Sequence, residues 1–341
     1  MNSPVSVITF GEIMLRLEAQ SGQRLAHGES FRRFYGGSEA NVAVLLAQLG
    51  IPVSFVTAVP DNTIGQGAID AVRSFAVNTN SILRSGKRLG IYYTENGNSI
   101  RPSRVVYDRE HSSFAELQTG KINWQELFNG HQRFHWSGIT PAINSNCASL
   151  ILEGLKVAKD AGLSISADMN YRSTLWNYGS PSSAIMPELL NYCDTIVGDI
   201  DTAEQYFGIK ISSSLSVEDK FAQCADQLQL TLPSLKLLAM SFRGFDANGS
   251  STYQGAIRMA GKDSFTRIYK LPVTIDRIGS GDAFTAGLLY GLCNQLNAEQ
   301  IIHVALACGA IKHSMEGDFC VTSLEEIKTF IHSGPSNRVS R

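Results

Sequence analysis

The chain has 341 residues, enough for one large domain or two ordinary ones, and its 43% hydrophobic and 18% charged content is typical of a globular protein. A formal net charge of −2 leaves no basic excess for nucleic acid or an anionic membrane surface, which favours a small-molecule ligand. The six cysteines occur singly, no signal-peptide pattern is seen, and no apolar run reaches the roughly 18 residues of a membrane span, so we expect a cytoplasmic protein.

Short apolar runs alternate with longer segments of helical period along most of the chain. The predicted strands are residues 5–10, 53–59, 134–139, 163–169, 195–197, 235–241 and 271–275. The predicted helices are residues 38–49, 65–75, 147–161, 202–207 and 283–292. Because strands that alternate with helices form βαβ units, the pattern predicts an α/β fold with a doubly wound, mostly parallel sheet flanked by helices.

Two stretches interrupt this alternation. Apolar and polar side chains alternate over residues 12–18, and an Asn96-Gly97 pair, a typical hairpin turn, separates two further predicted strands at residues 89–94 and 104–108. We therefore expect a single domain over residues 1–332 with a polar tail at 333–341. The strands of a small β-sheet lid are inserted into this domain at about residues 12–34 and 88–115.

The sequence Ile-Gly-Ser-Gly-Asp-Ala-Phe at positions 278–284 places two glycines and a carboxylate where an apolar run leads into a helix. A plain helix start is one interpretation, because Gly and Asp are both common there. However, Gly279 and Gly281 flank Ser280, so successive N–H groups can point into one concavity and bind an anion. Asp282 would repel that anion unless it acts as a base, taking a proton from a hydroxyl that attacks a phosphate.

The same segment, extended to positions 276–284, resembles the C-terminal signature of the ribokinase-like (PfkB) carbohydrate kinases. The sequence Tyr-Gly-Gly-Ser-Glu-Ala-Asn-Val-Ala at positions 35–43 resembles their N-terminal sugar-binding signature. The resemblance covers about residues 5–330 and implies a ribokinase-like fold, a doubly wound α/β domain with a small β lid. It also implies ATP as the phosphoryl donor, Asp282 as the catalytic base and the N–H groups of residues 279–282 as the anion hole.

The N-terminal signature contains Gly36 and Gly37 ahead of a predicted helix, with Asn41 inside that helix. A plain loop and a surface Asn would also account for these residues. By the resemblance, Gly37 lets the sugar approach the backbone and Asn41 binds its hydroxyls. Glycine at both positions costs conformational entropy, which favours the sugar-binding interpretation.

Tyr107 and Arg109 lie two residues apart and therefore on one strand face, with Tyr92 on the preceding strand. Arginines on such a strand are often only solvated charges. An aromatic platform with a guanidinium also suits a sugar that carries a carboxylate, because Arg binds carboxylates bidentately. This stretch resembles the acid-binding lid of the 2-keto-3-deoxygluconate kinases, which implies that all three side chains bind the substrate.

The sequence Asp-Met-Asn-Tyr-Arg at positions 168–172 resembles a turn of the same kinases, in which the Arg reaches the substrate and the transferring phosphate. Arg172 could instead be a surface residue, but it follows a predicted parallel strand, where such sheets bind ligands. The predicted nucleotide-binding residues are Ser241, Arg243, Gly244, Gly279 and Gly281. The first three follow another predicted strand, and a plain loop start explains them equally well.

Metal ligands are not predicted. Many members of the family carry Asn-x-x-Glu after the sixth strand, whereas Asp199 and Thr202 stand at these positions here. We expect Mg²⁺ to arrive with the nucleotide, since Mg²⁺ keeps several waters and takes few protein ligands. The resemblance further implies a homo-oligomer, a dimer formed through the lid.

Together these features predict an ATP-dependent kinase that phosphorylates the primary hydroxyl of 2-keto-3-deoxygluconate to give the 6-phosphate, with the galactonate epimer left open. The predicted catalytic residues are Arg172, Gly279, Ser280, Gly281 and Asp282. One alternative is a kinase for a neutral sugar or nucleoside, such as fructose or ribose, for which Arg109 would be dispensable. Another is a catalytically weak sugar- and nucleotide-binding regulator, which would not need the base.

Overall fold

The structure is a computed structural model that describes residues 5–97, 101–271 and 274–335. The strands of these residues are β1 (Val7–Phe10), β2 (Met14–Ala19), β3 (Phe31–Gly36), β4 (Val53–Val56), β5 (Ala58–Val59), β6 (Leu83–Arg84), β7 (Gly90–Glu95), β8 (Arg104–Asp108), β9 (Arg133–Ser137), β10 (Ser164–Asp168), β11 (Thr195–Gly198), β12 (Leu237–Phe245), β13 (Ser251–Met259), β14 (Lys262–Phe265) and β15 (Tyr269–Leu271). The helices are α1 (Ser38–Gln48), α2 (Thr63–Arg73), α3 (Trp124–Phe128), α4 (Ile139–Ile143), α5 (Ser145–Asp160), α6 (Ser182–Leu190), α7 (Ile200–Phe207), α8 (Val217–Thr231), α9 (Ser280–Cys293), α10 (Ala298–Lys312) and α11 (Leu324–Ser333).

The central sheet has the strand order β14-β13-β12-β11-β10-β9-β1-β4, with β15 paired to β13. From β12 to β4 every neighbouring pair is parallel, and β13, β14 and β15 add antiparallel pairs at one side. The first strand lies between β9 and β4, so the strand order reverses there as in other doubly wound sheets. The predicted α/β fold with a mostly parallel sheet is confirmed.

The apolar runs of the parallel strands are continuous because both faces of the sheet are buried. In β1, Val7 packs into one core cluster with α1, α2 and α10, whereas Ile8 packs into another with α5, α6 and α8. Close packing of α9 on α10 depends on a small residue, since a Cβ on Gly287 would lie 2.8 Å from the Ala305 Cα. This packing fixes the start of α9, which carries the glycine-rich motif.

Four strands form a second, smaller sheet in the order β3-β2-β7-β8. Two hairpin-like antiparallel pairs, β2–β3 and β7–β8, are joined by a parallel pairing of β2 with β7. Residues 98–100, which complete the turn predicted at Asn96-Gly97, lie outside the described residues. Among the helices in the described ranges, none combines the length and the apolar character needed to cross a membrane.

Two predicted strands differ from the structure. The apolar run 53–59 is divided between β4, in the central sheet, and β5, which pairs with β6. The predicted strand 271–275 is wrong at its C-terminal end, because β15 ends at Leu271 and Ile275 lies in a loop. The Ile275 N–H donates to the His313 carbonyl, 2.7 Å away, so a loop residue after α10 takes the place of a strand partner.

Candidate active site

A cavity of about 550 Å³ lies where the carboxyl ends of β10, β11 and β12 meet the small sheet and the first turns of α1 and α9. This is the edge at which doubly wound sheets bind their ligands. The predicted site residues that line it are Gly37, Asn41, Tyr92, Tyr107, Arg172, Ser241, Arg243, Gly279, Ser280, Gly281 and Asp282. Three predicted residues, Gly36, Arg109 and Gly244, lie outside this lining.

The first turn of α9 forms the cradle, residues Gly279–Asp282, that the sequence predicts. Gly279 caps the helix with a φ of +82°, and within the described residues no side chain caps it, so the dipole end faces the cavity. A Cβ on Gly279 would lie 2.1 Å from the Asp318 carbonyl oxygen. At Gly281 a Cβ would meet no described atom within 4 Å, because this residue borders open cavity space.

Ser280 differs from the other cradle residues. Its amide donates to the Arg277 carbonyl at 3.2 Å, and its hydroxyl donates to the same oxygen at 2.7 Å. The hydroxyl also accepts from Arg243 at 2.7 Å. The Ser280 amide is therefore occupied by the turn itself, which leaves the amides of Gly281 and Asp282 better placed to receive an anion.

Two side chains of the first turn of α1 hold the Asp282 carboxylate, one at each oxygen. The Ser38 hydroxyl donates to one carboxylate oxygen at 2.7 Å and the Asn41 amide donates to the other at 2.6 Å. Burial raises the pKa of Asp282 above its ordinary value, while these two hydrogen bonds and the charges of Arg172 and Lys312 oppose the rise. A carboxylate with a raised pKa and a fixed orientation is suited to accept a proton from a bound hydroxyl.

A second carboxylate, Asp168, ends β10 beside Asp282. It is buried and lines the same cavity, and it accepts a hydrogen bond from the Asn170 amide at 3.2 Å. Burial and then the charge of Asp282 raise the pKa of Asp168 to about 8, against the opposing charge of Arg172. Two like charges in one buried site are unfavourable, so the Asp282 carboxylate disfavours ionisation of Asp168.

We expect Asp168→Asn to stabilise the protein at neutral pH and not in acid. The folded-state pKa of about 8 lies above the ordinary 3.8 of the unfolded chain, so wild-type stability falls as pH rises between these values. The amide removes this loss, which amounts to about 2–4 kcal/mol at pH 7. Urea unfolding from pH 4 to pH 9 measures it, with the exposed Asp201→Asn as control. A stability gain independent of pH would contradict the assignment.

The glycine pair before α1 makes room for protein atoms. A Cβ on Gly36 would lie 2.1 Å from the Asp318 Oδ1 atom, and one on Gly37 would lie 2.0 Å from the Glu12 carbonyl oxygen. Gly37 borders the cavity, but Gly36 does not. Close packing of neighbouring segments therefore accounts for both glycines, and an approach of the sugar is not needed to explain them.

Arg109 differs most from its expected place. It is only 5% exposed, its Nε donates to the Glu12 Oε2 atom at 2.8 Å, and its Nη2 contacts the same oxygen. Ser112 donates to the other oxygen of Glu12. Arg109 follows the last residue of β8, and its guanidinium lies over the Tyr107 ring. Its charge is nevertheless matched by a buried carboxylate, and Arg109 does not line the cavity, whereas Arg172 does.

A family model described as pfkB family carbohydrate kinase matches residues 5–319. The chain belongs to this family of carbohydrate kinases. The resemblance found in the two signatures, the fold class and the kinase class are thereby confirmed. Membership implies ATP as the phosphoryl donor and an alcohol group as the acceptor.

This kinase is similar to proteins whose names refer to three different sugars. A 2-dehydro-3-deoxygluconokinase structure from Thermotoga maritima superposes with a TM-score of 0.91 at 34% identity, covering 97% of this chain and 99% of that chain. A 2-dehydro-3-deoxygalactonokinase from Haloferax volcanii is 26% identical over 96% of this chain and 97% of its own length. A probable chloroplastic fructokinase from Arabidopsis thaliana is 29% identical over 91% of this chain and 78% of its own length.

The kinase cavity carries three arginines. Arg172, Arg243 and Arg277 all line the cavity close to the cradle. Gly244 lies next to them in a smaller cavity of about 100 Å³ that Arg243 and Arg277 also border. Guanidinium groups beside an uncapped helix N-terminus suit a polyphosphate, so the residues present fit ATP.

The residues present do not form a metal centre of their own. In the part of the chain that the structure describes, no group of three or more His, Cys, Asp or Glu side chains could hold a metal ion. Asp199 lines the cavity, but its carboxylate caps α7 by accepting from the Thr202 amide at 2.8 Å and the Thr202 hydroxyl at 2.9 Å. Within the described residues, the Asp199 carboxylate is therefore already engaged at the start of α7.

Sequence reasoning missed several residues of this site. Ser38 donates a hydrogen bond to Asp282, and Asp168 and Asn170 line the cavity within a motif from which only the final Arg was selected. Asp168, Asn170 and Arg172 alternate at the carboxyl end of a parallel strand, and this pattern could have indicated Asp168 and Asn170 as site residues. Asp318 also lines the cavity and accepts a hydrogen bond from Tyr92, although it was not selected as a site residue from the sequence.

Proposed function

We propose that this kinase transfers the γ-phosphoryl group of ATP to the primary O6 hydroxyl of 2-keto-3-deoxygluconate. The observation that carries the proposal is the placement of Asp282, whose two oxygens are held by Ser38 and Asn41 at an uncapped helix N-terminus that faces an open cavity. The names of the Thermotoga and Haloferax relatives support the substrate class, since 2-dehydro and 2-keto denote the same group.

In the proposed reaction Asp282 accepts the proton of the O6 hydroxyl as this oxygen attacks the γ-phosphorus. The bond between that phosphorus and the oxygen bridging to the β-phosphate breaks, and the electron pair leaves with ADP. The amides of Gly281 and Asp282 and the start of α9 stabilise the charge on the transferring group. Arg172 neutralises part of the same charge, and Mg²⁺ bound to the nucleotide would supply the remainder.

The sugar would lie between Asp282 and the small sheet. Tyr92 and Tyr107 line this side of the cavity with ring centroids 6.1 Å apart, which provides a platform for the carbon skeleton. Because Arg109 is paired with Glu12, we propose Arg172 as the cation that meets the substrate carboxylate first. Arg109 would contribute only by exchanging Glu12 for the substrate.

The small sheet would act as a lid that excludes water, so that ATP is not hydrolysed in the absence of sugar. We propose one domain over residues 1–332 with the lid strands as insertions. Val105 and Val106 are 44% and 52% exposed on the edge strand β8, which supports a dimer through this sheet. Use of ATP as a substrate supports a cytoplasmic location.

The test is ATP consumption with 2-keto-3-deoxygluconate, 2-keto-3-deoxygalactonate, gluconate, fructose, ribose and adenosine. We expect turnover with the keto-deoxy acids alone, and location of the phosphate on O6 by phosphorus NMR. Turnover of fructose or ribose at higher kcat/KM would overturn the substrate and favour the fructokinase-like alternative that the Arabidopsis relative represents. Nucleotide binding without any turnover would favour the regulator.

A further inference from the structure

Lys312 is a buried cation that the proposed chemistry does not use. It is the last residue of α10, and its side chain is 0% exposed. Its ammonium donates to the Met315 carbonyl at 3.0 Å. Lysine is almost never fully buried unless it is paired, because burial of an uncompensated charge is costly.

The side chain of Lys312 runs directly behind the cradle. Its Cε atom lies 3.4 Å from the position that a Cβ on Gly279 would take, so the ammonium end passes beneath the residue that starts α9. The next residue in the chain, His313, accepts a hydrogen bond from the Ile275 amide in the loop that leads into the cradle. The C-terminal end of α10 therefore supports this loop and the cradle from the protein interior.

Carboxylates outnumber the other cations near Lys312. Arg16 forms ion pairs with Asp276 at 2.7 Å, Asp318 at 3.2 Å and Glu18 at 2.5 Å, and these carboxylates are 11% exposed or less. Glu18 also pairs with Arg32 at 2.8 Å, whereas Asp276 and Asp318 share Arg16. Asp276 and Asp318 also attract Lys312 electrostatically, so Lys312 supplies a second positive charge to these two carboxylates.

Asp276 connects the cluster to the cradle. Its Oδ1 atom accepts from the Ile278 amide at 3.0 Å, which closes the turn that delivers Gly279 to the start of α9. A displaced Asp276 would change the direction of the cradle amides. The Lys312 ammonium attracts the Asp276 carboxylate at this turn. The attraction is strong because the region is buried.

We propose that the Lys312 ammonium is a built-in positive charge beneath the cradle, which holds the 276–279 turn and stabilises the negative charge that collects at the start of α9 during phosphoryl transfer. Lys312 touches neither substrate and acts through the turn, so it is a positioning residue. The inference rests on the proposed function. It adds a positive charge on the interior side of the α9 N-terminus, whereas the three arginines lie on the cavity side.

The proposal has a consequence for the base. The charged and titratable groups that face Asp282 are Glu39 on α1, Asp168 and Arg172 at the end of β10, and Lys312 on α10. Of these, Lys312 and Arg172 hold the pKa of Asp282 down. Removal of the ammonium should therefore move the acidic limb of the kcat profile to higher pH.

The experiment compares Lys312→Met, which keeps the length of the side chain without charge, with Lys312→Gln, which keeps a donor for the Met315 carbonyl. Arg258→Met is the matched control, since Arg258 is 8% exposed and pairs with Asp263 at 2.6 Å on β13. Each variant is assayed with the sugar that the wild type turns over best. Thermal unfolding, kcat, KM and the pH profile are measured for all.

We expect kcat to fall by about 10-fold to 100-fold in both Lys312 variants, with the sugar KM within about threefold of wild type. The acidic limb of kcat should shift upward by about one pH unit. Arg258→Met should lose thermal stability and keep kcat. Wild-type kcat and pH profile in Lys312→Gln would overturn the proposal, as would a loss confined to stability. Every variant is compared with the wild type on the same sugar. A failure of the proposed function would therefore appear in the wild type itself, whereas a failure of this proposal appears as variants that match the wild type.

Discussion

Asp282→Asn should lower kcat by about 10²-fold to 10⁴-fold, the usual contribution of a general base. The substitution conserves volume, and the amide can still accept from Asn41 and donate to the Ser38 hydroxyl. The cavity shape and the cradle amides therefore persist, and the Kd for ATP should change by less than about threefold. The variant lacks only the oxygen that receives the proton of the attacking hydroxyl.

Steady-state kinetics with the preferred sugar, together with calorimetric titration of ATP, measures both parts of this expectation. Asp70→Asn, an exposed carboxylate on α2, is the control and should keep wild-type kcat. A variant at position 282 that retains more than about a tenth of kcat would remove Asp282 as the base. Loss of ATP binding would instead point to a structural role in the cradle.

Arg109→Ala should lower the free energy of unfolding by about 3–5 kcal/mol, the usual cost of leaving one partner of a buried ion pair uncompensated. Glu12 is 4% exposed and would keep only the Ser112 hydroxyl on its other oxygen. A double variant, Glu12→Gln with Arg109→Met, removes both charges and should recover most of the loss. Urea unfolding of the three proteins measures the difference.

The control for this effect is an exposed pair. Arg73→Ala breaks the Arg73–Asp70 ion pair on α2, in which both side chains are more than half exposed, and should cost less than about 1 kcal/mol. If Arg109→Ala kept wild-type stability while the KM for a sugar acid rose about tenfold, Arg109 would be a substrate ligand and its pairing with Glu12 would be replaceable.

The fold and the cradle were predictable because their signals are local. The predicted strands are short runs rich in apolar residues, and the predicted helices repeat apolar side chains at helical spacing, so the α/β alternation is visible without tertiary information. The cradle is equally local, since Gly279 and Asp282 lie within four consecutive residues. The end of the strand before the cradle and the division of residues 53–59 were misplaced, because an apolar run does not show which partner strands reach it.

The partners of the site residues were not predictable for the opposite reason. Glu12 lies 97 positions from Arg109, and Asp318 lies 226 positions from Tyr92. No periodicity relates such residues, and a carboxylate at position 12 gives no sign that it will neutralise the guanidinium expected to bind substrate. The burial of Lys312 close to the loop of Asp276 is likewise a tertiary feature that no local spacing shows.

The parallel pairing of β2 with β7 has a consequence for how the small sheet is assembled. Met14 is in register with Gly90, and the intervening chain passes through α1, β4, β5, α2 and β6 before it returns. The pairing therefore joins segments that lie far apart in the chain, so we expect closure of the small sheet to be a slow, non-local folding event. Exchange of this sheet between two kinases would likewise require two separate segments to be transplanted together in matching register.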